Sequence, residues 1–210
     1  MIYFGIRLVL SILFIGLVLF ILKKAHKKIN VLSALLLIVM CVIIFIIPFE
    51  YPLLKFDSPE QAFQYSHTSH IQHVINYDNS SLVFYGNDGS SISCTYVNKT
   101  NSSWLMANPV ASFFRTIKVE IINSHAYTVD VLHNKSRNEL YVVILNGNQK
   151  INAEEVMVTD SLNSEFVSFS IPYQKVDYKT TVYCTKISED IQNYSLYING
   201  EELKLNNTTA

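Results

Sequence analysis

Three histidines spaced three residues apart are the first candidates for chemistry. His67, His70 and His73 form a His-x-x-His-x-x-His pattern. On a helix, successive members would lie about 60° apart around the axis, so two of them could chelate one Zn²⁺ or Ni²⁺. The segment falls where a helix is expected to give way to a strand, and no carboxylate in metal-ligand spacing accompanies it. A metal site here is therefore the alternative hypothesis, and solvated histidines at a helix end are the favoured interpretation.

The second chemical candidate is a cysteine pair. Cys94 and Cys184 are the only cysteines beyond residue 50, and two thiols permit one disulfide in an oxidising compartment. Two buried, unpaired thiols on strands explain the same residues equally well, so both interpretations stay open. Cys41 lies inside an apolar run and is interpreted as a small membrane residue.

The remaining polar residues do not form a catalytic motif. The chain is poor in glycine and has neither a Gly-x-Ser-x-Gly elbow nor a phosphate-binding glycine loop. Paired carboxylates occur at Glu154-Glu155, Glu189-Asp190 and Glu201-Glu202, but adjacent residues on a strand point to opposite faces. We therefore expect that the protein is not an enzyme and binds no cofactor.

Trp104 is the sole tryptophan and follows a polar stretch. A half-exposed tryptophan is a common anchor for a protein partner, so Trp104 is a candidate partner contact. The favoured interpretation is that its ring fills the core of a sheet.

Two apolar runs near the N-terminus predict a transmembrane hairpin over residues 1–49. The runs cover about residues 2–22 and 31–48, and at 1.5 Å per helical residue each can cross the hydrocarbon of a bilayer. A cleaved signal peptide is the alternative for residues 1–22, but no small-residue cleavage site follows and a lysine cluster comes next.

The loop between the two runs predicts orientation. Residues 23–30 include Lys23, Lys24, Lys27 and Lys28, and short cationic loops stay in the cytoplasm. Arg7 is expected to extend its side chain toward the outer interface. Both termini, and residues 50–210, should therefore lie outside the cytoplasm in a two-span membrane protein.

The charge of the predicted outer part limits its partners. Five of the 16 basic residues and none of the 17 acidic ones precede Glu50, so residues 50–210 carry a net charge of −6. That charge disfavours nucleic acid and anionic lipid unless a local patch overrides it. No run of basic residues supplies such a patch, so nucleic-acid binding is excluded and a protein partner at the outer membrane face is favoured.

The outer part is predicted to be an antiparallel β-rich domain with one short helix. Ser58 is a natural N-cap, Pro59 suits the first helical position and Gln61 completes a capping box. Alternating apolar and polar residues, typical of strands, follow from Ile71 onward; they cover about 71–77, 92–96, 117–121, 127–131 and 167–171. Residues 182–187 and 194–198 supply the last predicted strands. The apolar run 140–145 predicts a central strand, and Gly86, Gly89, Gly147 and Gly200 are all placed in turns. One continuous domain is favoured over two sub-blocks, about 57–150 and 151–210.

The segment Phe56-Asp57-Ser58-Pro59-Glu60-Gln61-Ala62-Phe63, followed by short tyrosine-rich strands, resembles the outer domains of uncharacterised small membrane-anchored proteins of low-GC Gram-positive bacteria. The resemblance implies a bacterial cell envelope and no particular activity. The predicted function is a membrane-anchored, non-enzymatic interaction domain: an accessory subunit, an envelope sensor or an immunity-type protein. The two alternatives are metal-dependent sensing through the three histidines and an accessory role for the hairpin itself.

Overall fold

The computed structural model describes residues 2–24, 34, 37–42, 54–87, 91–105, 115–122, 125–134, 137–153, 156–173, 176–187 and 194–204. These residues are mainly β, and they include helices α1 (Ile2–Lys24) and α2 (Pro59–Ser66). The strands within the described ranges are β1 (Lys55–Phe56), β2 (Ile71–Asn76), β3 (Ser80–Tyr85), β4 (Ser93–Thr100), β5 (Ser103–Leu105), β6 (Arg115–Ile122), β7 (His125–Asn134), β8 (Glu139–Lys150), β9 (Val158–Asp160), β10 (Val167–Pro172), β11 (Tyr178–Ile187), β12 (Ser195–Ile198) and β13 (Glu201–Lys204).

Helix α1 is long and apolar enough to cross a membrane. Its stretch Gly5–Lys24 has a mean hydropathy of 2.7, and only 11% of its most apolar window is buried. A narrow stripe is turned inward, because Arg7 and Ser11 are buried and Phe14, Ile15, Val18 and Leu22 are half-buried. The helix also contacts α2. Arg7 is only 1% exposed, so its side chain lies against the protein. Its extension toward an outer interface stays a prediction.

The second half of the predicted hairpin is not shown. Within the predicted span 31–48, the structure describes Ala34 and residues 37–42, which are helical. Lys27 and Lys28 lie outside the described residues, whereas Lys23 and Lys24 form the exposed last turn of α1.

Helix α2 begins as its sequence predicts. The Ser58 hydroxyl accepts a hydrogen bond from the Gln61 amide at 3.3 Å, and Pro59 occupies the first turn. The Gln61 side chain accepts in turn from the Asp57 amide, one residue earlier than in a regular capping box. Ala62 and Phe63 are fully buried. The helix ends after eight residues, as a short helix.

The described strands form three sheets. The first has the order β1-β5-β4-β3-β2, the second β10-β11-β8-β7-β6 and the third β13-β12-β9. Every neighbouring pair in the second and third sheets is antiparallel, which confirms the antiparallel β-rich prediction. The chain also divides into two compact units, which comprise residues 1–68, 76–81 and 97–109, and residues 69–75, 82–96 and 110–210.

Strand β8 is the centre of the second sheet, as the apolar run 140–145 predicts. Residues 139–144 are all buried because both faces of the sheet are covered. On one face, Val142 and Ile144 share a core with Leu196 and Ile198 of the third sheet. On the other face, the ring of Tyr141 stacks on Tyr96, with centroids 5.9 Å apart.

Both predicted sub-blocks supply strands to this sheet. β8 ends at Lys150, where the first block was expected to end, and it pairs with β11 of the second block from Leu140↔Ile187 to Lys150↔Tyr178. A domain boundary at residue 150 would therefore separate β8 from its paired strand β11.

Two Asn-Gly pairs that look alike in the sequence have different structures. Asn199 and Gly200 have φ of 51° and 83°, and they form the tight hairpin between β12 and β13, as expected for this pair. The turn predicted at Gly147 is wrong. Gly147 lies inside β8, where the register with β11 shifts opposite Lys179 and Thr181 and the next residue, Asn148, has φ 57°. The pair makes a β-bulge that lets the strand continue.

Candidate functional site

His67 is engaged in the C-terminal cap of α2. Its backbone amide donates to the Phe63 carbonyl at 2.9 Å, and its ring stacks on the Phe63 ring with centroids 4.4 Å apart. Its Nδ1 lies 2.8 Å from the Ser66 hydroxyl. Burial lowers the pKa of His67, and a hydrogen bond with the Phe63 backbone raises it by a smaller amount. The neutral imidazole is therefore favoured.

His70 and His73 have different environments. The His70 carbonyl accepts a hydrogen bond from the Gly86 amide. The ring of His73, on β2, stacks on Phe169 of β10 at 4.0 Å, and this cover lowers the pKa of an otherwise exposed residue. Within the described ranges, no three His, Cys, Asp or Glu residues are grouped so that they could hold a metal ion. Metal binding at the three histidines thus stays a prediction, with two of the rings already stacked on phenylalanines.

The three cysteines are thiols in the structure, and none forms a disulfide. Cys94 and Cys184 are buried, and Cys41 is half-buried. Cys184 lies between Val143 of β8 and Val167 of β10 in the sheet register, and its Sγ is 3.8 Å from the Val167 carbonyl oxygen. Both Cys94 and Cys184 lie on strands as buried thiols, and the disulfide that the sequence also permits stays a prediction.

Trp104 belongs to the first sheet and is 7% exposed. It pairs with Phe56 of β1 on one side and with Lys99 of β4 on the other, and the Lys99 ammonium lies 5.4 Å from the ring centroid. The Trp104 ring is therefore part of the core and makes a cation–π contact with Lys99. A partner that needed an exposed indole would not find one here.

Sequence inspection missed a largely buried ion pair between β8 and β11 of the second sheet. The Lys186 ammonium lies 2.8 Å from Oε1 of Glu139, and the Tyr141 hydroxyl donates to Oε2 at 2.7 Å. Burial would raise the pKa of Glu139, but these two hydrogen bonds and the charges of Lys186 and Arg137 outweigh it and lower the pKa. Glu139 and Lys186 are 47 residues apart in sequence, and only the β8–β11 register brings them together.

A second missed group joins the third sheet to the turn that follows β9. Oδ1 of Asp160 accepts hydrogen bonds from the amides of Leu162 at 3.1 Å and Ser164 at 2.7 Å. Burial, and then the charge of Asp160, raises the pKa of the Tyr194 hydroxyl. The carboxylate therefore caps a turn beside a buried, neutral phenol, which is a structural arrangement.

One exposed feature of the second unit stands apart from these structural groups. Lys150, Ile151, Asn152, Val176, Asp177 and Tyr178 line an open groove where β8 ends and β11 begins. With Lys179 we call these seven residues the β8–β11 tip. Its apolar members are well exposed, at 47% for Ile151, 54% for Val176 and 39% for Tyr178.

Hydrogen bonds hold the backbone of the β8–β11 tip in place. The Ile151 amide donates to the Asp177 carbonyl at 3.2 Å, and the Tyr173 amide donates to the Tyr178 carbonyl at 2.8 Å. The Tyr173 hydroxyl accepts from the Asn148 amide at 2.9 Å, so the bulge in β8 is tied to the opposite loop. The exposed apolar side chains of the tip are therefore carried by a hydrogen-bonded backbone.

The sequence carries only a weak signal for this tip. Ile151 and Val176 each stand beside a lysine, Lys150 and Lys175, but the two segments are far apart in the chain. Only the pairing of Lys150 with Tyr178 brings the two segments together.

Comparison of this chain with protein-family models, with curated proteins and with solved structures finds no match.

Proposed function

We propose that this chain is a membrane-anchored protein whose β-rich part, residues 50–210, is a non-enzymatic interaction domain outside the cytoplasm. The observation that carries the proposal is the exposure of α1. Ten of its large apolar side chains are between 39% and 64% exposed: Ile6, Leu8, Val9, Leu10, Ile12, Leu13, Leu17, Leu19, Phe20 and Ile21.

The magnitude of this exposure favours a lipid environment. Full burial of such a side chain is worth about 1.5–3 kcal/mol, so ten half-exposed ones forgo about 10 kcal/mol in water. A domain's whole net stability is about 5–15 kcal/mol. In hydrocarbon the penalty vanishes, and a stretch of 20 residues matches the thickness of a bilayer.

The pattern of burial also supports a second span against α1. Ala34, Leu37 and Cys41 are half-buried at spacings of three and four residues, whereas residues 38–40 and 42 are exposed. This is the pattern of a helix with one protein-facing stripe. Together with the lysines at 23, 24, 27 and 28, it supports a cytoplasmic turn and two outer termini in the cell membrane.

An interaction role is supported by what the chemically capable residues contact. His67 and His73 stack on phenylalanines, Glu139 pairs with Lys186, and Asp160 caps a turn. Each of these groups stabilises the β-rich part. A binding role as an accessory subunit, envelope sensor or immunity-type protein uses the surface of such a scaffold, not its interior.

Affinity capture from native membranes tests the proposal. The full chain and a variant whose residues 1–49 are replaced by an unrelated two-helix anchor are solubilised, captured and compared for co-purifying proteins. We expect a partner that stays with the swapped chain, because the β-rich part makes the contact. Loss of the partner on swapping would assign the interaction to the hairpin. Capture of only this chain in both cases contradicts the proposal.

A further inference from the structure

Cys94 and Cys184 belong to the same compact unit of the chain. Strand β4 carries Cys94 two residues before Tyr96, so the two side chains point to the same face of the first sheet. That face is turned toward the second sheet, because the Tyr96 ring stacks on Tyr141 of β8. Cys94, which is 3% exposed, therefore points toward the second sheet as well.

The pairing of β3 with β4 gives an independent check of this orientation. Seven residues connect the two neighbouring strands, so the strands are antiparallel, and the Lys99 amide donates to the Asn79 carbonyl at 2.8 Å. Counting along both strands from this bond places Phe84 directly opposite Cys94, on the same face. The Phe84 ring makes an edge contact with Phe169 of β10, with centroids 5.0 Å apart. Cys94 thus lies beside two aromatic side chains that contact the second sheet.

Cys184 lies between the same two aromatic contacts on the second sheet. Its strand β11 is placed between β8 and β10. On β11, Lys186 is opposite Tyr141, and Val182 is opposite Phe169. Cys184 is midway between Lys186 and Val182, and alternation places all three residues on one face. The two thiols therefore face each other across the layer of side chains between the sheets.

We infer that Cys94 and Cys184 are a disulfide-forming pair and that the structure holds its reduced state. Oxidation by an external disulfide, such as oxidised glutathione, proceeds in two exchange steps. The Cys94 thiolate attacks the external disulfide and releases one thiol, and the Cys184 thiolate then attacks the mixed disulfide and releases the second. The two protons and two electrons of the protein thiols end on the two thiols that are released.

Bond formation ties the hairpin of β3 and β4 to the second sheet. Sheets that pack face to face lie about 10 Å apart, and a disulfide needs Cα atoms within about 7 Å, so closure draws β4 and β11 together. Cys94 is the second residue of β4, and strand ends open more readily than strand centres, so an external disulfide reaches Cys94 first. The proposed position outside the cytoplasm supplies an oxidising environment, but the geometry of the pair does not depend on that proposal.

A redox titration of the purified full chain in detergent tests the inference. Cys41→Ser removes the third thiol. The chain is equilibrated with reduced and oxidised glutathione, in buffer and in denaturant, starting from both the reduced and the oxidised chain refolded from denaturant. Peptide mapping by mass spectrometry measures the bonded fraction. The matched control is Cys94→Ser with Thr95→Cys, which moves the thiol to the opposite face of β4, since Thr95 and Cys94 are both 3% exposed.

We expect the equilibrium constant for the Cys94–Cys184 bond to be at least about tenfold larger in buffer than in denaturant, because the fold brings the two thiols together. In the control the constant should be smaller in buffer than in denaturant, because the fold keeps the thiol at residue 95 away from Cys184. A constant for the Cys94–Cys184 bond that folding does not raise overturns the inference, as do equal values for the pair and the control. The comparison of buffer with denaturant needs no substitution at either cysteine of the pair, so it decides the matter even where the control does not fold.

Discussion

The ammonium of Lys186 and the carboxylate of Glu139 meet at 2.8 Å between the central strands β8 and β11. Their side chains are 24% and 11% exposed, and the Tyr141 hydroxyl satisfies the second carboxylate oxygen. The pair bridges two strands that are far apart in sequence.

Removing one partner of this ion pair should therefore lower the free energy of unfolding more than removing an exposed surface charge would. We expect Lys186→Met to lower the free energy of unfolding by about 2 kcal/mol, because Glu139 is left buried without its counter-ion. Lys150→Met, at an exposed lysine, should change it by less than about 0.5 kcal/mol. Denaturant unfolding of the full chain in detergent, followed by circular dichroism, measures both. Equal effects for the two variants would refute a stabilising pair.

The same contact predicts acid sensitivity. The pKa of Glu139 is lowered from its ordinary value of 4.5, so its contribution to stability is present above that value and is lost as pH falls through the folded pKa. Glu139→Gln should flatten the stability curve below about pH 4.5. A Glu202→Gln control, at an exposed carboxylate, should keep the wild-type slope, and an unchanged slope in Glu139→Gln would contradict the assignment.

His67 predicts a second pH dependence in a different range. Burial lowers its pKa from 6.5, so the folded state favours neutral imidazole. The corresponding stability is present above pH 6.5 and is lost as pH falls through the folded pKa, because the unfolded chain binds the proton more readily. Unfolding curves between pH 7.5 and 5.5 should show this slope, and His67→Phe, which retains stacking on Phe63, should reduce it. A slope of the same size in His67→Phe would assign the effect to other groups.

The sequence predicts the strands better than their assembly. Alternation located β2, β7 and β10, and the apolar run 140–145 located the central strand β8, because local patterning reflects which face each side chain occupies. Adjacent residues Tyr141 and Val142 are both buried, so both faces of β8 are covered. Only the stacking of sheets on each side of β8 explains that, and stacking is a long-range property.

The candidate sites also divide into local features that the sequence predicts and long-range features that it does not. The Ser58 cap of α2 was predictable because its partners lie within four residues. The Glu139–Lys186 pair and the β8–β11 tip were not, because each depends on the register between β8 and β11, which β9 and β10 separate in the chain. The missed bulge at Gly147 has the same origin, since Asn-Gly favours positive φ both in a hairpin turn and in a bulge.

The two Asn-Gly pairs give a direct mutational comparison. Gly200 has φ 83°, so Gly200→Ala should cost about 1 kcal/mol or more through backbone strain. At Gly147 a new Cβ would meet the Tyr173 hydroxyl at 3.6 Å and the Thr180 hydroxyl at 3.8 Å, which are ordinary contacts. Gly147→Ala should therefore be close to neutral. Thermal unfolding of both variants measures the difference, and a reversed order would reject the assignment of turn and bulge.

The cysteines predict a specific labelling pattern. Cys94 and Cys184 are buried thiols that form no disulfide in the structure, so a maleimide should leave both unmodified in the native chain and modify both after denaturation without reductant. Mass spectrometry of the modified peptides reads the result. Modification that requires reductant would instead demonstrate the disulfide that the sequence also permits, and with it an oxidising compartment.

The proposal that α1 anchors an outer β-rich part is tested most directly by thiol accessibility in intact cells. Asn163→Cys places a thiol on an exposed loop of the β-rich part, and His26→Cys places one in the lysine-rich loop, each in a Cys41→Ser background. With a membrane-impermeant maleimide, the account predicts modification of residue 163 in intact cells and of residue 26 only after permeabilisation. Modification of residue 26 in intact cells, with residue 163 protected until lysis, would contradict it.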